Sequence, residues 1–496
     1  PGTHVMRLIV EPVYTTVEGD FIELEALQRV LIAPNDDGAD IPLIDNNRFY
    51  TGLLSRVEEV LKSHQYECEV EWTYDNRRRS PQDIVFPDTI LPGIELRPHQ
   101  LSAGVKLIAH GGRGVVNVAT GGGKTEIGCA VTKYYGVPTI FVNDRVKHAD
   151  QAMKRFQKYG IDCGMVGGGA RDLDHLVVSA VADSIFTGLR NSDRDILELL
   201  SRTQLLWFDE CHHLSSNMWS TVGENCLAPM RAGLSASAFD DPDERCYEDM
   251  LLIGQTGEIV CFVPPRWLID RGFLAEPLIH FTPINTQKPD TFDWATVYKE
   301  GIVENNYRNY VIAGYARYLA QFGFKVLVLV QRIDHGKNLL RLLQDSSVVF
   351  SRGGDEMFRW DNGEIVNADV SPEELCMSFE HQTSGILIGS TIYDESIDIP
   401  SMTALIMAGG GKKYRRTLQR IGRATHGASE FVHVFDFWDF QHPYLQKHSR
   451  ERLNTYNRLE YKSYKGLDEF TYRSRIQLSP EHMVMQYVRQ QGSTPV

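Results

Sequence analysis

Residues 115–131 constrain the fold of this chain more than any other stretch. The apolar run at 115–118 leads into ATGGGKT at 119–125, and the pattern at 126–131 is helical. A strand that ends in consecutive glycines and opens into a helix points several backbone N–H groups, and the positive end of the helix dipole, at one place. A phosphate group fits that place, so the sequence predicts a phosphate-binding loop within an α/β fold.

The residue types in this loop suit a nucleoside triphosphate and its metal ion. Lys124 is long enough to reach the β- and γ-phosphates, and the hydroxyl of Thr125 can bind Mg²⁺. Glycines let the backbone approach the phosphates because they have no Cβ. The usual pattern has a glycine where this chain has Val118. The other loop residues predicted to contact the nucleotide are Thr120, Gly121, Gly122 and Gly123.

A second apolar run, at 205–208, ends in two adjacent carboxylates, Asp209 and Glu210. One acid can hold Mg²⁺, directly or through water, while its neighbour polarises the attacking water. Lys124 and Asp209 are 85 positions apart, which leaves room for the further strand–helix units of one parallel sheet. We therefore predict Lys124, Asp209 and Glu210 as catalytic residues, with Thr125 and Asp209 as Mg²⁺ ligands.

Composition sets outer limits on the class of protein. The 496 residues are 42% hydrophobic, which is ample for several packed domains. We find no uncharged apolar run of about 18 residues and no signal-peptide pattern, so neither membrane insertion nor secretion is expected. The eight cysteines include no CxxC pair, which favours reduced cytoplasmic thiols over a zinc or iron–sulfur site. The net charge of −14 argues only weakly against a polyanionic partner, because a local basic cleft dominates phosphate contacts.

The chain order predicts four segments: a small α+β accessory module at 6–90, a first lobe at 91–270, a second lobe at 271–445 and a helical extension at 446–496. In the module, alternating patterns predict strands at 7–13, 21–27 and 66–72, and an amphipathic pattern predicts a helix at 53–64. The three arginines at 77–79 could touch a phosphate backbone, so DNA binding by the module is a hypothesis. A solvated linker is the favoured alternative for these arginines.

Just before the phosphate loop, Arg97 and Gln100 could recognise a base. A glutamine amide offers a donor and an acceptor that can pair with an adenine edge, and an arginine can stack on the base. Helix capping is the alternative explanation, because a helical pattern begins here.

The second half of the chain also alternates strands and helices. Residues 240–295 hold acidic turns and prolines and read as a junction, after which a second α/β series runs to about residue 407. Six cations among the twelve residues 412–423 are too dense for an ordinary solvated helix, so some should meet phosphates. In the tail, a helix is predicted at 443–462. Its neighbouring tyrosines, which could stack on bases but are better explained by packing, are Tyr456, Tyr461 and Tyr464.

With these motifs assembled, the chain resembles the superfamily-2 helicases, and more closely the phage UvsW-type helicases that remodel branched DNA. The resemblance to the superfamily rests on residues 97–100, on ATGGGKT, on DECH at 209–212, on SAS at 235–237, on residues 390–400 and on QRIGR at 419–423. The closer likeness rests on the glycines at 167–169, on DECH in place of DEAD, on HGK at 335–337 and on the small N-terminal module. It implies two tandem RecA-like parallel-sheet lobes with ATP and Mg²⁺ between them. Single-stranded nucleic acid would cross both lobes, and the protein would move along one strand, usually 3′ to 5′.

The resemblance also implies roles by position. Gln419 and Arg423 would be catalytic, Arg423 as an arginine finger, and Asp398 and Arg420 would join Arg97 and Gln100 in binding ATP. The residues that would couple the ATP site to the nucleic acid are His212, Ser235 and Ser237. The residues that would contact the nucleic-acid backbone are Arg145, Gly168, Ser179, Gln331, Arg332 and Thr391.

Two departures from the family pattern affect the expected chemistry. His426 stands where a second arginine is usual, and Ser396 stands where a glycine is usual. The expected function is an ATP-dependent DNA helicase or translocase acting on forked, Holliday-junction or R-loop DNA, as a monomer in the cytoplasm of a bacterium or a phage-infected host. The alternatives are an RNA helicase and a nucleic-acid-stimulated ATPase switch that does not unwind.

Overall fold

A computed structural model gives the fold. It describes residues 5–465 except 20, 36, 65, 76–77, 240–244, 346, 354–355, 369, 371, 391–401, 412–420 and 422–429. The chain divides into two compact units, Pro1–Val263 and Pro264–Val496. Among the described residues, no helix is both long and apolar enough to cross a membrane.

The first unit begins with a small α+β module. Its elements are β1 (Val5–Val10), β2 (Tyr14–Glu18), α1 (Phe21–Val30), β3 (Ile32–Pro34), β4 (Asp40–Pro42), β5 (Arg48–Tyr50), α2 (Leu54–Ser63) and β6 (Glu67–Trp72). Four strands form a sheet in the order β5-β2-β1-β6, and β3 pairs with β4. The strand predicted at 21–27 is wrong, because this segment is helix α1. Leu24 and Leu27, three positions apart in this helix, both pack in the core, so the helical period prevails over the alternation.

The rest of the first unit is an eight-stranded sheet flanked by helices. Its elements are α3 (Pro98–Ala109), β7 (Arg113–Val118), α4 (Lys124–Tyr135), β8 (Thr139–Asn143), α5 (Val146–Lys158), β9 (Cys163–Gly167), β10 (Ala170–Arg171), β11 (Val177–Val181), α6 (Ala182–Arg190), α7 (Arg194–Arg202), β12 (Leu205–Asp209), α8 (Asn217–Glu224), β13 (Met230–Ser235), α9 (Tyr247–Gln255) and β14 (Ile259–Val263). The strand order is β10-β9-β11-β8-β12-β13-β7-β14, and every pairing except that of β10 is parallel. Strands β8 and β11 are buried along their whole length, which explains their continuous apolar character.

The module and the sheet share one hydrophobic core. Phe49 and Leu54 of the module belong to the same buried cluster as Met250 and Ile253 of α9. Polar contacts reinforce this packing: the Tyr50 hydroxyl donates to Glu224 Oε1 at 2.5 Å. The module is therefore built into the first unit and is not a tethered appendage.

The second unit contains a nine-stranded sheet. Its elements are α10 (Pro265–Asp270), β15 (Glu276–Ile284), α11 (Trp294–Tyr298), α12 (Asn306–Gln321), β16 (Lys325–Leu329), α13 (Ile333–Leu343), β17 (Val349–Gly353), β18 (Glu356–Asp361), β19 (Glu364–Asn367), α14 (Pro372–His381), β20 (Gly385–Gly389), β21 (Ala404–Ile406), β22 (Phe431–Asp439), α15 (Pro443–Arg458) and β23 (Lys462–Lys465). The strand order is β19-β18-β17-β20-β16-β21-β22-β15-β23. Two helix-flanked, mainly parallel sheets confirm the predicted fold class.

Two expectations for the second unit are corrected. Residues 240–295 are more than a junction, because they hold α9, β14, α10 and the nine-residue strand β15. Strand β15 is paired on both sides although it contains Pro277 and Pro283. Since β23 pairs only with residues 278–281, neither proline has to donate a hydrogen bond to it. The tail helix ends at Arg458, and Tyr456 and Tyr461 are buried, as the packing explanation expected.

Candidate nucleotide-binding site

The loop between β7 and α4 has the geometry that its glycines predict. Gly121 has a φ of +86° and Gly123, which immediately precedes α4, has a φ of +75°. The Gly122 N–H donates to the Ala119 carbonyl at 2.9 Å and closes the turn. A Cβ on Gly123 would lie 2.1 Å from Nε2 of Gln100. Both the backbone angle and the space therefore require glycine at position 123.

The sheet brings Lys124 to the acid pair. Strands β7 and β12 both pair with β13 in parallel, so their carboxyl ends lie on one edge of the sheet. The Nζ atom of Lys124 is 3.8 Å from Oε1 of Glu210. Glu210 has a φ of +49°, an uncommon backbone angle for a residue with a side chain, and it turns the chain sharply at the end of β12. A cation and a carboxylate thus converge at the mouth of the glycine loop.

The pKa values of the two adjacent carboxyl groups shift in opposite directions. Burial and the neighbouring Glu210 raise the pKa of Asp209, and Lys124 opposes that rise. Burial also acts to raise the pKa of Glu210, but 27% of this side chain is exposed and its cationic neighbours decide the direction. Lys124 and the contact with His212 hold the Glu210 pKa below its usual range. Glu210 is consequently the ionised member of the pair when the nearby cation is Lys124.

Glu210 is connected to His212 and Ser235 by short contacts between polar side chains, which we call the polar chain. His212 Nδ1 lies 3.3 Å from Glu210 Oε2 and 3.4 Å from Ser235 Oγ. The Ser235 hydroxyl is also 3.4 Å from Glu210 Oε2, and it accepts the Ser237 N–H at 3.1 Å. His212 and Ser235 therefore meet as predicted from the sequence, and Ser237 joins them through its backbone. The Ser237 hydroxyl has no hydrogen-bond partner in the described part of the chain.

Arg97 and Gln100 brace the glycine loop. The Gln100 Oε1 atom accepts the Arg97 N–H at 2.8 Å, which is the capping contact. The Gln100 amide also donates to the carbonyls of Gly122 at 3.2 Å and Gly123 at 3.3 Å, and Arg97 Nη1 donates to the Gly121 carbonyl at 3.3 Å. Helix capping is thus confirmed and coexists with contact to the glycine loop, whereas recognition of adenine by Arg97 and Gln100 stays a prediction.

His99 is a site residue that the sequence did not reveal. Its Nε2 atom lies 2.7 Å from the Gly122 carbonyl, and its ring is buried. Burial lowers its pKa, although the bond to Gly122 opposes this. Because a carbonyl only accepts, Nε2 of His99 must carry the proton. Its position one residue before Gln100 was the only signal in the sequence.

The residues predicted to contact nucleic acid in the first unit separate into two groups. Arg145 immediately precedes α5, and Gly168, with a φ of +60°, sits in the turn between β9 and β10. A Cβ on Gly168 would lie 2.5 Å from Cγ1 of Val146, so Gly168 is adjacent to the Arg145 turn. Ser179 is different: it is fully buried, and its hydroxyl donates to the Ala149 carbonyl at 2.8 Å. Because its hydroxyl is enclosed within the unit, we withdraw Ser179 as a nucleic-acid contact.

In the second unit, Gln331 and Arg332 follow the carboxyl end of β16. The Gln331 amide donates to the Gly410 carbonyl at 3.0 Å, and Arg332 is exposed at the start of α13. Five predicted site residues lie outside the described part of the chain: Thr391, Asp398, Gln419, Arg420 and Arg423. The two departures from the family pattern, Ser396 and His426, lie outside it as well.

No group of three or more His, Cys, Asp or Glu side chains that could hold a metal ion occurs among the described residues. Thr125 and Asp209, predicted from the sequence as Mg²⁺ ligands, would hold that ion together with phosphate oxygens, since Mg²⁺ is usually bound by few protein ligands in addition to substrate phosphates. A glycine cradle, a lysine and an acid pair fit Mg²⁺-bound ATP.

A family model and several known proteins are similar to this chain. Residues 93–240 match the family model described as the type III restriction enzyme, res subunit. Together with the two parallel-dominated sheets and the relative described next, this match supports the predicted resemblance to the superfamily-2 helicases, a class of proteins that use ATP and bind nucleic acid.

One relative is the DNA 3′–5′ translocase XPB2 of Sulfurisphaera tokodaii. It is 25% identical over 410 residues, which cover 76% of this chain and 88% of the relative. The solved structure of S. cerevisiae Dbp5 bound to RNA and ADP BeF3 shares the fold, with 13% identity, a TM-score of 0.51 and coverage of 80% of this chain and 94% of that chain. The crystal structure of phage T4 UvsW matches with 18% identity and a TM-score of 0.42, over 93% of this chain and 98% of that chain.

Proposed function

We propose that the protein is an ATP-dependent DNA helicase or translocase that unwinds or branch-migrates forked, Holliday-junction or R-loop DNA. The observation that carries this proposal is the convergence of Lys124 and Glu210, 3.8 Å apart at the carboxyl edge of the first sheet. The similarity to a relative named as a DNA 3′–5′ translocase supports DNA as the track and 3′ to 5′ as the direction.

The contacts around the glycine loop support a role for each residue at the nucleotide. The backbone N–H groups of residues 121–123 and the Lys124 ammonium bind phosphate, and Thr125 and Asp209 hold Mg²⁺. When bound there, Mg²⁺ would supply positive charge to offset the charge that develops on the transferred phosphoryl group. Glu210, kept ionised by Lys124 and His212, orients the attacking water. Arg97 and Gln100 hold the loop and face the adenine.

The polar chain from Glu210 through His212 to Ser235 gives hydrolysis a path to movement. When Glu210 changes partner during the reaction, the His212 and Ser235 contacts must rearrange, because both involve the same Oε2 atom. By resemblance, Gln419, Arg420, Arg423 and Asp398 complete the ATP site. Arg145, Gly168, Gln331, Arg332 and Thr391 remain the proposed nucleic-acid contacts.

A comparison of nucleic acids tests this function. Purified full-length protein is assayed for ATP hydrolysis with matched single-stranded DNA and RNA, and for displacement of a labelled strand from forks with 3′ or 5′ tails. We expect stronger stimulation by DNA and displacement from the 3′-tailed fork. Stronger stimulation by RNA would make the protein an RNA helicase, because it would show that the track requires the 2′-hydroxyl. Hydrolysis without displacement of any strand would make it an ATPase switch.

Other expectations also stay proposals. DNA binding by residues 6–90 is tested by gel shift of the full chain on forked DNA after charge reversal at Arg78 and Arg79; unchanged binding at low salt would contradict it. A monomeric state and a cytoplasmic location, inferred from composition and resemblance, are the remaining proposals.

A further inference from the structure

Residues 356–367 form a β-hairpin at the edge of the sheet of the second unit, beyond β17. Strands β18 and β19 pair with Asp361 opposite Glu364, so the connecting loop consists of Asn362 and Gly363. The φ values of these two residues are +46° and +93°. An Asn-Gly pair adopts such angles readily, and a two-residue loop of this kind fixes the register of the two strands.

A cavity of about 650 Å³ lies between this hairpin and helix α13. We call it the hairpin groove, and its walls include Lys337, Arg341, Phe358, Trp360, Glu364 and Asn367. Phe358 and Trp360 are two positions apart on β18, and each has a directly opposite partner on β19 that also lines the groove. One face of the hairpin therefore forms one wall of the groove. A cavity of this volume is large enough for a small ligand or for part of a chain.

Two cations of α13 form the opposite wall. Lys337 and Arg341 are four positions apart, so their side chains are neighbours on the helix surface. The Lys337 Nζ atom lies 4.4 Å from the centre of the Phe358 ring, a favourable contact that keeps the ammonium beside the hairpin. Arg341 Nη1 donates to Asn338 Oδ1 at 2.8 Å, which occupies only part of the fork of N–H donors of a guanidinium. Among the described residues that line the groove, Glu364 is the carboxylate, and it is exposed.

The aromatic wall has one anchored ring and one more accessible ring. Phe358 packs against the core of the unit, where its ring is stacked 5.8 Å from that of the buried Phe350. Trp360 is only partly buried. An indole in a groove beside cations offers a flat apolar face on which a nucleic-acid base can stack.

We propose that the hairpin groove binds single-stranded nucleic acid, with a base stacked on Trp360 and backbone phosphates paired with Lys337 and Arg341. Aromatic faces and cations in one groove match the bases and phosphates of a strand, which favours nucleic acid over a protein partner. The chain as a whole has a net charge of −14, so these cations attract phosphate as a local site and not through the overall field. Glu364 and Asn367 supply a carboxylate and an amide that can hydrogen-bond to base edges. The proposed site goes beyond the proposed function, because it lies within the second unit and binding to it requires no ATP hydrolysis.

Photocrosslinking to the full chain locates the bound strand. The probe is an oligodeoxythymidine in which 5-iododeoxyuridine replaces single thymidines, since irradiated iodouracil reacts with an aromatic side chain stacked against it. We expect a crosslinked peptide that contains Trp360, and Trp360→Ala should abolish crosslinking at this position. Trp294→Ala is the matched control: Trp294 is a 40% exposed tryptophan of the same unit that lies outside the groove, so the Trp360 crosslink should persist.

Binding of the same oligonucleotide at several salt concentrations separates stacking from phosphate contact. Trp360→Ala should weaken the affinity about tenfold without changing its salt dependence, because stacking releases no counterions. Trp360→Phe, which keeps a ring, should restore most of the affinity. Lys337→Gln should reduce the slope of log affinity against log salt by about 0.7, the value for one phosphate of a single strand. Lys447→Gln, at an exposed lysine of α15, is the control and should change neither quantity.

Two results would overturn the inference. One is the absence of any crosslink within β18. The other is an affinity and a salt slope that are the same in Trp360→Ala, Lys337→Gln and wild type, which would leave the groove to a protein partner. Because both measurements follow binding alone, a protein that binds the probe in the groove but hydrolyses no ATP would contradict the proposed function and not this site.

Discussion

The ammonium of Lys124 and the carboxylate of Glu210 lie 3.8 Å apart although they belong to different strand–helix units. Lys124 is near Oε1 of Glu210, while His212 Nδ1 lies 3.3 Å from its other oxygen, Oε2. An incoming triphosphate would compete with Glu210 for the lysine. The release of Glu210 at that moment would free it to orient water, which couples nucleotide binding to assembly of the reactive site.

Lys124→Ala should lower ATP turnover at least about 10²-fold, because a lysine that contacts the transferred phosphate is a large electrostatic contribution to catalysis. Binding of single-stranded DNA should be retained. The measurements are DNA-stimulated ATP hydrolysis and fluorescence anisotropy with a labelled oligonucleotide. Lys154→Ala is the control, since Lys154 is 67% exposed and pairs with Asp150 one helical turn earlier. Turnover that persists in Lys124→Ala would disprove the phosphate-loop assignment.

Ser235→Ala and Ser237→Ala should differ although they make the same chemical change two residues apart. Ser235 contacts both Glu210 and His212, whereas the Ser237 hydroxyl has no described partner. We expect Ser235→Ala to lower the number of strands displaced per ATP hydrolysed about tenfold, and Ser237→Ala to change it less than about twofold. Simultaneous measurement of phosphate release and strand displacement gives this ratio. Equal ratios in the two variants would argue against a coupling role for Ser235.

Phe49→Ala should destabilise the whole first unit, because Phe49 is buried in the core that the accessory module shares with α9. Truncation of a buried phenylalanine costs about 3–5 kcal/mol of the free energy of unfolding. Urea unfolding followed by tryptophan fluorescence would measure this loss. Val85→Ala, at a position that is 83% exposed, should change stability by less than about 0.5 kcal/mol. A small effect of Phe49→Ala would mean that the module folds independently of the sheet.

The second unit should lose stability as the pH falls below about 6.5. Burial lowers the pKa of His433 to about 4, and burial with the nearby Arg308 lowers the pKa of His335 to about 3. Burial and His433, whose ring nitrogen is 3.1 Å away, lower the pKa of His280 well below its ordinary value. Between these values and about 6.5, the unfolded chain binds more protons than the folded one, so acid favours unfolding.

Each such histidine contributes a slope of up to about 1.4 kcal/mol per pH unit. His433→Gln removes one of them and should flatten the plot of unfolding free energy against pH between about 6.5 and 4. Thermal or urea unfolding across this pH range provides the measurement. An unchanged slope in the variant would show that His433 titrates alike in both states.

Local sequence was enough to find the strand, glycine loop and helix at 115–131, and the strand that ends at Asp209. Both features depend on residues that are neighbours along the chain: apolar runs that fill a sheet buried on both faces, and glycines that alone permit a tight turn. The order of the motifs could also be taken directly from the sequence, because it does not depend on how the chain folds. These sequence patterns were enough to predict the fold class and the position of the glycine loop.

Tertiary structure decided what each of these residues touches. Packing made residues 21–27 a helix, gave β15 a place between two strands despite its prolines, and buried Ser179. It also set His99 and Gln100 against the glycine loop, and it brought side chains from four separate parts of the second unit to the consecutive carbonyls of residues 408–411. Such contacts join residues that are about 20 to more than 100 positions apart in the sequence. Sequence periodicity indicates only which face of a helix or strand a residue lies on. The residue that it contacts across that face depends on how the helices and strands pack.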